Sequence, residues 1–144
     1  MLNFNPTELI PHRGPMLWVQ GILEADIEQG FIIAQAQCTT NHLLYNENLQ
    51  GVEPSAAVEI MAQTIGLLSG YTDTMLRRPL AKTGKLLSIK RFDTFVNALP
   101  INTLFQVEAK CVLVSPPIGV YECKLFAGEE LLANAEITAI REDA

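Results

Sequence analysis

The chain has 144 residues, 49% of them hydrophobic, 18% charged and 7% aromatic, with ten Lys and Arg against sixteen Asp and Glu for a net charge of -6. This profile excludes disorder, and a chain of this length buries roughly 68–70% of its unfolded surface, enough for a core without disulfide or metal staples. The acidic excess and an isoelectric point near 4.8 argue against nucleic acid or an anionic membrane as the main partner, leaving small molecules or proteins.

The first residues lack the basic stretch and apolar run of a secretory signal, so the expected location is cytoplasmic. Residues 5–16 read as a short helical or looped lead-in, broken by Pro11 and by Gly14-Pro15. Residues 17–24 and 31–38 carry β-branched and aromatic residues about an acidic turn ending in Gly30, which predicts an antiparallel strand pair. From Asn41 to Pro54 the pattern dissolves into a long polar loop, of the kind that carries function. A helix over residues 55–74 follows, apolar on nearly every face and therefore expected to be buried all round. Its most apolar part, residues 56–68, falls short of the ~20 residues that span a bilayer, so no membrane segment is expected.

Four more strands are predicted at residues 86–96, 103–114, 120–127 and 131–141, separated by Pro100, Pro116-Pro117 and Gly128. Two strands, a buried helix and four strands make an α+β layout, with an antiparallel sheet of about six strands curled round one central helix. The reading is a single domain over residues 1–144. Cys38, Cys111 and Cys123 are odd in number and form no CxxC pair, so reduced core thiols are expected rather than a disulfide framework or zinc site.

The chemistry is sparse. There are two histidines, His12 and His42, and no HExxH, GxSxG, GxGxxG or P-loop motif. On the predicted helix Glu59 and Gln63 stand four residues apart and share a face. A buried carboxylate must take up a proton or find a partner, and either outcome suits a general acid. Backbone N–H groups at the helix start, around Pro54 to Ala57, are candidates for polarising a carbonyl, and Gly51 for close backbone approach. Trp18, Phe92 and Phe95 are candidate tunnel residues. Arg77, Arg78, Lys82, Lys85, Lys90 and Arg91 supply six of the ten basic residues within fifteen acid-free positions, a patch suited to an acidic partner.

The segments Pro11-His12-Arg13-Gly14-Pro15, Glu59-Ile60-Met61-Ala62-Gln63 and Lys90-Arg91-Phe92, in this order and spacing, resemble the 3-hydroxyacyl-[acyl-carrier-protein] dehydratases of the hotdog fold. Residues 50–63 are most similar to the ApeP-like branch associated with aryl polyene pigments. The resemblance implies elimination of water from 3-hydroxyacyl thioesters, no cofactor beyond the carrier's phosphopantetheine, no metal, and active sites at the interface of a homodimer or a heterodimer with a related chain. It makes Glu59 the acid and Gln63, Gly51, Arg13 and Phe92 substrate contacts; the acidic partner suited to the basic patch is then the acyl carrier protein, with Arg77, Arg78, Lys82 and Lys85 as its docking site.

One departure stands out: the family's His-Phe-Pro-Gly loop is missing between Asn41 and Glu59, and the corresponding positions hold Tyr45 or Asn48. His12 or His42 is then the candidate base, with His12 preferred, because a neutral imidazole is matched to removing the C2 proton. Two other readings stay open, a catalytically silent partner subunit and a hotdog thioesterase.

Overall fold

The computed structural model describes residues 1–81 and 83–142. One helix, α1 (Ala56–Met75), crosses a six-stranded antiparallel sheet. The sheet strands are β1 (Val19–Asp26), β2 (Phe31–Gln37), β5 (Thr83–Thr94), β6 (Leu104–Ser115), β7 (Ile118–Ala127) and β8 (Glu130–Glu142). They lie in the order β1-β2-β6-β7-β8-β5, which leaves β1 and β5 as edges. This is the hotdog arrangement expected.

The sheet curls because its inner face is apolar at alternate positions while α1 offers a continuous apolar surface. Ile32, Ala34 and Ala36 of β2, and Phe105, Val107 and Ala109 of β6, are fully buried against Ala57, Ile60, Met61 and Leu67 of α1. Cys38 and Cys123 belong to this core; burial pushes their thiols up to about 11 and about 12, while Cys111 is half-buried and all three are free. No described helix is long and apolar enough to cross a membrane.

Two local expectations change. β1 begins at Val19 rather than residue 17, because the Trp18 N–H donates to the Gln63 side chain at 2.8 Å instead of to a neighbouring strand. The long polar loop contains two short paired strands, β3 (Tyr45–Asn46) and β4 (Gly51–Val52). Val52 exchanges backbone hydrogen bonds with Leu99 in both directions, at 2.9 and 2.8 Å, and so fastens the loop to the turn after β5. Lys82 lies outside the described residues.

The C-terminal end of α1 is fixed by a charge cluster. Asp73 is fully buried, and Arg78 Nε and Arg141 Nη1 each donate to its Oδ1 at 2.6 Å. Burial alone would raise this carboxyl, but the hydrogen bonds from Arg141 and Arg78, with the Ala81 N–H, hold it below its ordinary value. Removing one partner of such a cluster leaves buried charge uncompensated.

Asp73→Asn is expected to cost about 2 kcal/mol, against ~3–5 for a fully enclosed pair, because Arg78 reaches solvent. A lowered carboxylate pKa contributes stability above its unfolded value of 3.8 and loses it as pH falls through the native value. Urea midpoints of the two proteins should therefore converge on acidification; a gap independent of pH would contradict the ionic role.

Candidate active site

The site depends on the segment before β1, which lies as a strap across α1. It opens with a 3-10 turn (Pro6–Glu8) capped by the Asn5 side chain, which accepts from the Thr7 N–H at 3.0 Å. Leu9 and Ile10 are buried against α1 where the helix has no side chains. A Cβ on Gly70 would collide with the Leu9 carbonyl oxygen, and one on Gly66 would stand 3.0 Å from Ile10 Cγ2. Two glycines four residues apart thus form a groove on one helix face, and the strap fills it.

The next residues are fixed by two side chains. Arg13 Nη1 donates to the carbonyls of Ile10 (2.7 Å) and His12 (2.8 Å), and Nη2 to that of Thr7 (3.0 Å), so the guanidinium ties the strap to itself. Gln63, only 1% exposed, spends its whole amide on the strap: Oε1 accepts from the Trp18 N–H and Nε2 donates to Met16 O, both at 2.8 Å. Between these anchors His12 Nε2 faces Glu59 Oε1 at 3.8 Å. That distance is beyond a hydrogen bond but within strong electrostatic reach.

Both groups are about one-third exposed and line a cavity of about 380 Å³. Burial raises the Glu59 carboxyl above its ordinary value, while the charge of His12 works in the opposite direction. His12 Nδ1 is buried without a hydrogen-bond partner. A carboxyl biased toward its protonated form beside an imidazole, on the wall of a largely apolar chamber, is an acid and a base within reach of one small group of atoms.

His42 lies elsewhere. Its ring packs on Trp18 at 4.2 Å between centroids, and its Nδ1 accepts from the Leu44 N–H at 3.0 Å. Burial lowers its pKa. Of the two candidate bases only His12 faces Glu59.

Several of the expected contact residues have partners within the chain itself. Gln63 and Arg13 hold the strap, and neither lines the cavity. Gly51 is buried in β4, where a Cβ would stand 2.7 Å from the Leu99 carbonyl, so its close approach is to this chain's own backbone. Phe92 packs against the core and lies outside the cavity wall. At the helix start the Ala56 and Ala57 N–H groups donate to Glu53 O and Pro54 O at 3.0 Å, so these donors are spent locally. Of the basic patch, Arg78 holds Asp73 and Lys85 holds Glu142 at 3.0 Å, while Arg77 is exposed in a left-handed conformation with φ 55°. Among the described residues no cluster of three metal-ligating side chains occurs.

Sequence reasoning missed Ser69, Tyr121 and Arg141, which also line the cavity. The signal was present in α1: Glu59, Ala62, Gly66 and Ser69 recur at helical spacing and form one stripe of small or polar residues on an otherwise apolar helix.

The fold is that of the hotdog class, and the comparisons narrow it to the dehydratases. The family model for the ApeP-like dehydratases, described as "ApeP dehydratase", matches residues 4–144, and the chain belongs to that family. It is similar to the 3-hydroxyacyl-[acyl-carrier-protein] dehydratase FabZ of Protochlamydia amoebophila, 28% identical over 136 residues, covering 90% of this chain and 82% of the relative. FabZ of Chlamydia trachomatis serovar D is 26% identical over 135 residues, covering 92% and 86%. Among solved structures, the dehydratase heterocomplex ApeI:P from Xenorhabdus doucetiae superposes with a TM-score of 0.90 at 16% identity, covering 99% of this chain and 93% of that one.

Gln63→Leu leaves the Trp18 N–H and the Met16 carbonyl without partners, and the expected loss is about 2 kcal/mol. Trp18 is the single tryptophan, so its emission should shift to the red as the strap loosens. Unchanged emission with unchanged stability would show that the amide does not hold the strap.

Proposed function

We propose that the chain eliminates water from 3-hydroxyacyl thioesters carried on an acyl carrier protein, giving trans-2-enoyl thioesters, with His12 as base and Glu59 as general acid. The observation that carries this reading is the His12–Glu59 approach of 3.8 Å on the wall of the cavity. Family membership and the FabZ relatives support the reaction type.

The chemistry closes on itself. His12 removes the C2 proton, the C2–C3 double bond forms, and the C3–O bond breaks as Glu59 delivers its proton to the departing hydroxyl, releasing water. The pair holds one proton before and after turnover, moved from Glu59 to His12, and passing it back across the gap restores the starting state. The short separation lets both groups reach one face of two adjacent carbons. Desolvation of Glu59 favours the arrangement in which the carboxyl holds the shared proton, the form elimination requires.

The substrate is delivered on the carrier's phosphopantetheine, and the enzyme needs no cofactor or metal of its own. Arg77, Arg78 and Lys85, with Lys82 between them in the sequence, receive the acidic carrier. A second hotdog chain, identical or related, pairs along the free β5 edge, where Leu87 and Ile89 are exposed; the Xenorhabdus neighbour is itself a heterocomplex. The product belongs to fatty acid or polyene-type biosynthesis in the cytoplasm.

The test is hydration of enoyl thioesters and the reverse dehydration, with wild type, His12→Ala and Glu59→Gln as folded proteins. Each variant is expected to lose roughly 10²–10⁴-fold in kcat. Wild type inert at every chain length but accelerating a related dehydratase would replace this reading with a silent partner subunit, and release of free thiol would replace it with a thioesterase.

The pH profile supplies a second check. Glu59 must hold its proton, so kcat/KM is expected to fall as pH rises past its native value, which lies above the ordinary 4.5. An alkaline limb at or below 4.5 would sink Glu59 as the acid.

A further inference from the structure

A histidine base ordinarily has a third group that orients it, an acceptor for the ring nitrogen turned away from the reaction. His12 has none. Among the described residues its Nδ1 is buried without a hydrogen-bond partner, and its Nε2 stands 3.8 Å from Glu59 Oε1, beyond a hydrogen bond. The ring is therefore aimed by the backbone that carries it, and whatever fixes that backbone sets the geometry of the pair.

Ile10, before it, is anchored by burial against α1 at Gly66. Pro11 follows, and its ring fixes its own φ and restricts Ile10 to extended backbone. Beyond Pro11 the chain could turn about His12, and two residues on it passes through the left-handed Gly14, at φ 55°. Arg13 closes this interval. Its Nη1 takes the carbonyls of Ile10 and His12, which bracket the Pro11-His12 pair, at 2.7 and 2.8 Å, while Nη2 takes that of Thr7 at 3.0 Å. No backbone N–H of the described residues donates to these three oxygens.

A guanidinium suits the task because its planar fork offers donors in fixed directions, which an ammonium on a flexible stem does not. Arg13 is exposed, forms no ion pair with a described carboxylate and stands outside the cavity wall. Its hydrogen bonds all go to carbonyls of the strap. We propose that Arg13 is a positioning residue for the reaction: its fork sets the His12 imidazole against Glu59, in place of the missing acceptor and without touching the substrate. This rests on the reading of His12 as the base.

The experiment compares Arg13→Ala and Arg13→Lys with wild type in hydration of an enoyl thioester on an acyl carrier protein, and follows the imidazole Cε1–H signals by proton NMR. The chain has two histidines, so the His12 signal is assigned by its loss in His12→Ala, and His42 is the internal control. Water can replace an exposed guanidinium at the carbonyls, so the urea midpoint should move little. In Arg13→Ala kcat is expected to fall roughly 10²-fold, the scale of a displacement of about 1 Å, with KM unchanged. The His12 signal should shift and broaden while that of His42 stays. Arg13→Lys keeps the charge and lacks the fork; it should behave like Arg13→Ala, and it serves if that variant fails to fold. A rise in KM at unchanged kcat overturns the proposal in favour of a substrate contact, full activity in Arg13→Lys overturns the fork, and an unmoved His12 signal overturns the positioning. Wild type without activity, or full activity in His12→Ala, overturns the catalytic reading instead, and the His12 signal still decides whether Arg13 aims the ring.

Discussion

Everything in the site follows from one close packing contact, the strap lying in the glycine groove of α1. A helix apolar on most faces must be covered on most faces, and a single curled sheet reaches only one side of it. The strap supplies the rest of the cover. Because Gly66 and Gly70 let its backbone approach the helix directly, residues Leu9 and Ile10 are buried as deeply as strand residues. His12, two residues further on, then stands over Glu59.

The same contact explains how the polar side chains of α1 are used. Gln63 faces outward from the sheet and, on a bare helix, would be solvated; under the strap it becomes the clamp that terminates the lead-in and starts β1. Asp73, near the end of the helix, does comparable work with Arg78 and Arg141, joining the helix, the turn after it and the last strand. Among the described residues, Glu59 alone of the three makes no hydrogen bond to a neighbouring element; it has only the ionic approach of His12. The helix thus commits Gln63 and Asp73 to architecture and leaves the half-buried Glu59 facing the cavity.

Much of this was legible in the sequence, for definite reasons. Six strands and one helix follow from alternation, β-branched content and Pro or Gly breaks, which are local signals. Glu59 stood out because a carboxylate on an apolar helix has no cheap explanation, and His12 because histidines are so few. What local pattern could not supply was pairing at long range. Gln63 and Arg13 are polar residues beside a motif, and only the fold shows that their partners are backbone carbonyls of the strap and, for Gln63, the Trp18 N–H. Likewise Gly119 and Ala139 are ordinary small residues until the sheet pairs them on the cavity wall. A cavity is made by absent side chains on segments far apart in sequence, so no single segment announces it.

The outer edge of the sheet bears on the protein's colloidal behaviour. β5 exposes Leu86, Leu87 and Ile89 along an edge whose backbone groups have no neighbour on that side within this chain. Such a strand is a template for uncontrolled stacking unless charge or a bulge limits what can pair with it. Lys85, Lys90 and Arg91 bracket the apolar residues, and the left-handed turn of Arg91, at φ 53°, interrupts the flat ribbon. Lys85 and Arg91 are held by Glu142 and Glu136 of β8, which keeps these charged groups along the edge. The strand thus carries its own gatekeepers against indiscriminate stacking, and they act by hydrated charge and by twist.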